Sequence, residues 1–519
     1  MSGHPTEGFG ERFSTMPNLL GYVVILVFSA FVFLLYGLDL PFQRDNAIYY
    51  YSAQQLLQGV PPYLSIFDIK TPLASFVTAM FLWPSEALFD EPLHGVRIGF
   101  MLLVTGTAIL LYRLASRMFG QTPAILVPPL GLLGFQGLIV FAAMGARPKV
   151  LLLFFMAAAL VYLWDRRWFA AGVASGCCAF TWQPAGIVLI GALAGALLDG
   201  AEGRIRRLTL LCAGAGLVAA VISAFFLANG AFSAFFDGTF RVHLFIERGD
   251  QQEVRILAKG LDDGFPYASS LIILGLGSLV VHLVGRAAGR VNDPECAPCM
   301  AYLIMLGMFI AWSFFDVQSY VDLFVFLPFA ALGLQVLVTA LAQGFRSDAA
   351  GGKRAHGAIL LMSILYLLAL PLLARLSHPP SRDGLAAQRD RFESLAALAP
   401  GRDGARILAI EIPELPAVLR RDNLTPYVVN LAGIDRYVAS RFPGGFDDYV
   451  ASLEAARPDL VVVRMRHVMD YALAHREALV AWLETGFEPA TKDSGVSVWV
   501  PRRTPESGDE SLKAQPIGK

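Results

Sequence analysis

Eleven runs of apolar residues, near 19–39, 93–112, 123–143, 149–164, 168–183, 184–198, 207–228, 268–285, 300–315, 320–342 and 357–375, decide what this chain can become. A helix needs about 20 apolar residues to cross the hydrocarbon of a bilayer, and most of these runs approach that length. Lipid offers no water to the backbone, so a spanning segment must satisfy its own N–H and C=O groups as a helix. Composition agrees. Of the 519 residues 55% are hydrophobic and 16% charged, against roughly 25% charged in a soluble domain. The expectation is a polytopic α-helical membrane protein with some soluble mass attached. No small-residue cleavage signature follows the first run, which therefore reads as a retained membrane helix.

Charge selects the topology. Suppose the amino terminus is cytoplasmic and residues 72–89 also cross. Then Arg113, Arg117, Arg166, Arg167, Arg204, Arg206, Arg207, Lys353 and Arg354 all fall outside, against the positive-inside rule. If residues 72–89 instead dip in or lie along the interface, every one of those basic loops becomes cytoplasmic. The polar loops at 45–70, 145–149, 181–184, 229–266 and 315–320 then face outward together. Pairing 72–89 with another, missed span is an equally consistent variant. The expectation is about eleven crossings plus a non-crossing segment, give or take two, because hydropathy windows locate spans only approximately.

From about Ser377 the composition changes. Residues 406–411, 460–463 and 496–500 read as short buried strands, and 447–456 and 469–485 as amphipathic helices. The chain thus divides into a cytoplasmic tail (1–18), a membrane domain (19–376, with outer loops at 40–71 and 229–267), a small α/β domain (377–503) and a polar disordered tail (504–519). Five cysteines are too few for a disulfide framework, and Cys296 and Cys299 form a lone CxxC with no second pair. A net charge of -1 and the absence of a basic stripe speak against nucleic acid as a partner. Neither GxGxxG after a strand nor GxxxxGK[ST] occurs.

The first outer loop needs an explanation of its own. A charge at the edge of a bilayer is costly and usually functional. Asp45 precedes a stretch in which Ile48, Ala53 and Leu56 alternate with tyrosines and glutamines, the pattern of an interfacial helix. Asp45 near the start of that helix has the bland reading of a cap. That reading leaves Asp68-Ile69-Lys70, at the far end of the same loop, without an account.

The two motifs, "RDNAIYYYSAQQLLQGVPPY" and "FDIKTPL", resemble the first outer loop of GT-C glycosyltransferases, in particular bacterial relatives of the protein O-mannosyltransferases and of the lipid A aminoarabinose transferase. "ARPKVLLLFF", "TWQPAGIVLI", the loop through Phe235 to Phe240 and "FFDVQSYVDLFVFLPFAALGL" resemble segments of that family in the same order. The likeness covers most of residues 20–345. It implies a GT-C-like bundle of about 11–13 transmembrane helices in the inner (plasma) membrane, with the C-terminal α/β domain on the non-cytoplasmic side. It also implies an inverting hexosyl- or pentosyltransferase that moves one sugar from a polyprenyl-phosphate donor to an extracytoplasmic lipid, glycan or protein acceptor.

In such a reaction a carboxylate takes the acceptor hydroxyl's proton as the bond forms, and Asp45 is the expected base. Negative charge grows on the departing phosphate, so a preplaced cation speeds the step. Lys70 leads that role, with Arg147, Lys149 and Arg241 in support. Here the chain departs from the family, whose members commonly carry an acidic residue beside the proline that Arg147-Pro148-Lys149 matches. Either a second carboxylate comes from Asp316 or Asp322, with Asp316 better placed at the outer mouth, or the donor site leans on positive charge. Asp68, His243 and Tyr320 fall where some relatives gather metal ligands, so a divalent metal (zinc, magnesium or manganese) is the cofactor to test. Tyr49, Tyr50, Gln183, Gln318 and Tyr320 are the expected substrate-facing residues.

Two other classes compete. A transporter or flippase for a lipid-linked glycan would favour internal repeats and broken helices meeting at the midplane, but no repeat is visible and the polar residues gather at one face. A non-catalytic glycan-assembly protein would keep the fold without the chemistry, which the missing acidic residue beside Pro148 allows.

Overall fold

The computed structural model describes residues 16–200, 203–246, 253–289, 296–344, 350–377, 383–399, 404–430, 433–470, 473–493 and 495–502. Nearly all of the expected N-terminal tail and the polar tail beyond residue 503 lie outside the described residues.

Every one of the eleven apolar runs is helical, in the expected order. Among the described residues seven helices are long and apolar enough to cross a membrane: Leu19–Tyr36, Pro92–Phe119, Arg204–Ala228, Ser269–Ala288, Cys296–Ser313, Tyr320–Gly344 and Ala355–Ser377. Pro123–Gly134 and Gln136–Met144 form a further pair bent by 58°. Leu73–Leu88, Pro148–Trp164, Trp168–Thr181 and Gln183–Leu198 are shorter apolar helices. Small residues let the helices approach closely, as membrane bundles require. A Cβ added at Gly172 or Gly214 would strike the carbonyl of Leu211 or Phe169, so these two glycines are where the helices Trp168–Thr181 and Arg204–Ala228 meet.

The helices that frame the site are α1 (Met16–Tyr36), α2 (Arg44–Leu57), α3 (Leu73–Leu88), α4 (Pro92–Phe119) and, after the bent pair, α5 (Pro148–Trp164). The contacts of α3 place its two ends. At its start, the Lys70 carbonyl accepts from the Tyr63 hydroxyl, in the same loop as α2. At its end, Ser85 and Phe89 pack against Gly95, and Phe81 against Gly99, on the first turns of α4. There Arg97 is fully buried and donates to the carbonyls of Leu38, Leu40 and Met144. Leu38 to Asp45 and Met144 to Arg147 form one end of the bundle, joined by the Arg147–Asp45 ion pair. Both ends of α3 therefore belong to one layer, and the helix does not traverse the bundle.

The opposite layer holds basic loops, and four of their arginines are paired with aspartates. Arg113 and Arg117 each lie 3.2 Å from the Asp165 carboxylate. Asp199 takes Arg166 at 3.2 Å and Arg207 at 3.9 Å. The polar residues singled out from sequence and the basic clusters thus sit at opposite ends of the helices.

The chain splits into two compact units, Met1–His243 with Arg248–Gln388, and Leu244–Glu247 with Arg389–Lys519. The first reaches past Ser377 because the Leu385 N–H donates to the Asp39 carboxylate at 3.0 Å and the Gln388 amide brackets the backbone of Phe42. The second is built on a four-stranded sheet of order β1-β2-β4-β3, with β1 Ile407–Ile410, β2 Leu460–Val463, β3 Phe487–Asp493 and β4 Val496–Pro501. β1 and β2 pair in parallel and the other pairs are antiparallel. The edge strand β3 was not expected, because its proline and charges hide a strand signal that an edge position tolerates. The single helix expected at 469–485 is instead Met465–Asp470 and Arg476–Gly486.

Candidate active site

The site is assembled from the start of α2, the loop before α3, the start of α5 and the turn at Tyr320. Asp45 occupies the first turn of α2, where the helix dipole favours an anion. Tyr49 and Ser52 follow it on the same helical face. The expected interfacial helix is more enclosed than its pattern suggested, since residues 46–55 are all buried. Its tyrosines and glutamines are covered by protein rather than turned to a lipid headgroup layer.

The loop carrying Asp68 and Lys70 is clamped from several sides. Tyr63 adopts a left-handed backbone (φ 69°) that turns its hydroxyl onto the Lys70 carbonyl at 2.6 Å and Thr239 Oγ1 at 3.1 Å. The Gln183 amide donates to the carbonyls of Ile69 (2.8 Å) and Thr239 (3.2 Å). His243 Nε2 lies 3.1 Å from the same Ile69 carbonyl. A crevice lined by Ser52, Tyr63, Asp68, Lys70, Thr71 and Ser75 opens between this loop and α2.

Arg147 caps α5 and reaches across to α2. Its Nη1 donates to Asp45 Oδ2 at 2.5 Å and its Nη2 to Gln43 Oε1 at 3.2 Å. Its guanidinium stacks 4.2 Å from the Phe141 ring centroid. The Arg147 side chain is 8% exposed and Asp45 42%, so the carboxylate keeps an open edge. Lys149, 7% exposed, bonds Asp322 at 2.9 Å and rests on the Trp182 ring. Asp322 is fixed by a capping box with Ser319 and accepts from the Gln318 and Ser319 N–H groups. Among the described residues Lys70 has no carboxylate within ion-pair distance; its Nζ lies 5.9 Å from the Tyr49 ring centroid.

Burial pushes the Asp45 carboxyl up, but Arg147, then Lys70 and Arg44, outweigh it and hold the group below the usual carboxylate range. Asp68 goes the other way. Burial raises it and the neighbouring Asp45 adds to that, more than Lys70, the Ile69 N–H and Tyr49 lower it. The buried Tyr49 phenol is pushed up by burial and then by the charges of Asp68 and Asp45.

The expected residues divide accordingly. Asp45, Tyr49, Asp68, Lys70 and Arg147 form one cluster, and Gln183 and His243 hold its loop. The remaining ones make other contacts. Tyr50 is buried edge-on against Phe42 at 5.3 Å, so it is packing rather than a substrate contact. Arg241 is half exposed and lies 3.7 Å from Asp237, one turn away on its own segment. Asp316 accepts from the Gln318 amide at 3.3 Å, while Asp322, the second candidate, makes the ion pair with Lys149. The 3-10 turn that opens at Ser319 rotates the Asp322 carboxylate onto the lysine and leaves Asp316 outside. Tyr320 packs against Phe141 at 5.4 Å and Phe265 at 6.3 Å, and no contact with Asp68 or His243 is found among the described residues. The expected metal trio is not assembled, and among the described residues no three His, Cys, Asp or Glu side chains cluster as metal ligands.

No family model matches the chain, and no curated protein matches it. Solved structures do. ArnT from Cupriavidus metallidurans in the apo state aligns with a TM-score of 0.60 and 16% identity over 94% of this chain and 98% of that one. ArnT bound to undecaprenyl phosphate gives 0.57 and 14% over 93% and 98%. The Archaeoglobus fulgidus oligosaccharyltransferase in complex with Zn and sulfate gives 0.55 and 14% over 93% of this chain and 73% of that one. This chain has the GT-C fold.

Within this GT-C bundle three contributors had escaped sequence reading. Gln43 braces Arg147 from the N-cap position of α2. Phe141 forms the floor on which the guanidinium lies. Arg97 ties three loop carbonyls together beneath the cluster. Only Arg97 carried a signal, a charge within an apolar helix.

Proposed function

We propose that the chain is a membrane glycosyltransferase that moves one sugar, a hexose or pentose, from a polyprenyl-phosphate donor to a lipid, glycan or protein acceptor on the non-cytoplasmic face, with inversion at the anomeric carbon. The observation that carries this is the juxtaposition of Asp45, open on one edge, with Lys70, a cation close enough to act on it and, among the described residues, outside ion-pair distance of any carboxylate. The outward placement rests on the basic loops gathered at the other end of the helices. The fold, shared with ArnT in its complex with undecaprenyl phosphate, supports the donor class.

The donor phosphate settles against Lys70 and the Arg147 guanidinium. The acceptor hydroxyl approaches the free edge of Asp45 and attacks the anomeric carbon while its proton passes to the carboxylate. The bond from that carbon to the phosphate oxygen breaks, and its electron pair remains on the phosphate, where the two cations stabilise it. A carboxylate held as low as Asp45 is a poor base in the resting site. The arriving phosphate offsets Lys70 and Arg147 and raises its basicity, so donor binding primes the base. Asp68, raised by burial, stays beside Lys70 as part of the donor pocket rather than as a second base.

The test is made in cells that lack the chain and are rescued with wild type or Asp45→Asn. Mass spectrometry of envelope lipids, glycans and proteins is expected to show one sugar increment that is lost on deletion and returned by wild type alone. Return of that increment by Asp45→Asn would remove Asp45 from the chemistry.

A further inference from the structure

A divalent ion is the cofactor to test, and the Archaeoglobus structure of the same fold is a complex with Zn. The residues of this chain do not fit one. The Asp45 carboxylate already faces the Arg147 guanidinium at 2.5 Å, and Gln43 takes the other arm of that guanidinium. Lys70 is the second cation close enough to act on both Asp45 and Asp68. His243 Nε2 is directed to the Ile69 carbonyl and the Gln183 amide, and Asp68 Oδ1 to the Ile69 N–H. A dication placed between Asp45 and Asp68 would meet two positive charges, and its two carboxylates would lack a third anionic or imidazole ligand. The two cations already do electrostatically what a metal would do there.

From this pairing we infer that Arg147 is a built-in replacement for a divalent metal: it neutralises Asp45 in the resting site, turns to the donor phosphate when that arrives, and leaves the reaction independent of metal. Arg147 is suited to both duties. A guanidinium offers five donors in a planar fork that matches carboxylate and phosphate alike, and its Nε–H is buried with no partner among the described residues. Its Cζ lies over the Phe141 ring, 4.2 Å from the centroid. What the cation does rests on the donor chemistry proposed above; whether the site takes up metal does not.

The experiment uses the full-length chain purified in detergent, stripped with EDTA and titrated with zinc, manganese and magnesium chlorides. Calorimetry and elemental analysis are expected to find no stoichiometric metal in wild type, and the same in Asp45→Asn. One ion per chain in wild type, lost in Asp45→Asn, would overturn the inference. In a second arm, binding of undecaprenyl phosphate is expected to be unchanged by EDTA and weakened by Arg147→Ala. Loss of wild-type binding on adding EDTA would also overturn it. If the chain binds no polyprenyl phosphate under any condition, the proposed function fails while the metal count still decides this inference.

Discussion

Arg147 Nη1 lies 2.5 Å from Asp45 Oδ2, joining the N-cap of α5 to the first turn of α2 across 102 residues of sequence. The two partners are unequally placed, since the arginine is 8% exposed and the aspartate 42%. Asp45→Asn leaves a buried cation with only Gln43, whereas Arg147→Gln leaves a carboxylate that water can reach. Unfolding in detergent is therefore expected to show a larger loss for Asp45→Asn. The coupling energy from the double variant is expected at about 1 kcal/mol, low in the usual range for contacting residues because one partner is open to solvent.

Lys70 acts on Asp45 and Asp68 without, among the described residues, an ion pair to release before it holds a phosphate. Lys70→Met keeps the length of the side chain and removes the charge. Hydrogen bonds to charged groups are worth about 1.5–3 kcal/mol, so affinity for undecaprenyl phosphate is expected to fall roughly tenfold to a hundredfold. Titration of wild type and Lys70→Met in nanodiscs reads this directly, and equal affinity would remove Lys70 from the donor site.

Arg97 answers three carbonyls from the floor of the site and touches none of the proposed reacting groups. Arg97→Leu removes the charge and strands those acceptors, at about 1–3 kcal/mol for each that water does not reach. The expected outcome is a loss of about 3 kcal/mol or more in stability. Donor affinity, measured below the lowered Tm, should change less than in Lys70→Met.

The two aspartates should respond to pH in opposite directions. Asp45 is held below its ordinary 3.8 when folded, so its contribution to stability is present above that value and lost as pH falls further. Asp68 is raised above 3.8 when folded, so its contribution is present below 3.8 and lost as pH rises through the raised value. Thermal unfolding from about pH 3 to about pH 7 checks both by difference. The wild-type advantage over Asp45→Asn should shrink toward acid, and that over Asp68→Asn should shrink toward neutrality.

Much of this was legible in the sequence for physical reasons. A bilayer demands long apolar runs, so all eleven appeared before the structure, and the charge of the loops set residues 72–89 apart from them. Asp45 and Lys70 stood out because charge beside lipid is costly. Which charges would meet was not legible. Asp316 and Asp322 are six residues apart and either could serve Lys149, until the 3-10 turn at Ser319 presented Asp322. Tyr49 and Tyr50 are neighbours on one helix, yet one faces Asp68 and the other Phe42. Arg97 is a charge inside an apolar run, and only the folded chain shows it turned onto the carbonyls of Leu38, Leu40 and Met144.

The central claim is that Asp45 acts as the base in sugar transfer from a lipid-linked donor. Its most direct test is turnover of synthetic polyprenyl-phosphate hexoses and pentoses by the purified chain, wild type against Asp45→Asn, with acceptor-enriched envelope extract supplied. The account predicts consumption of one donor by wild type and a fall of at least about a hundredfold in Asp45→Asn, at an unchanged affinity for undecaprenyl phosphate. Wild-type turnover in Asp45→Asn, or movement of intact donor across vesicles with no transfer, would contradict it.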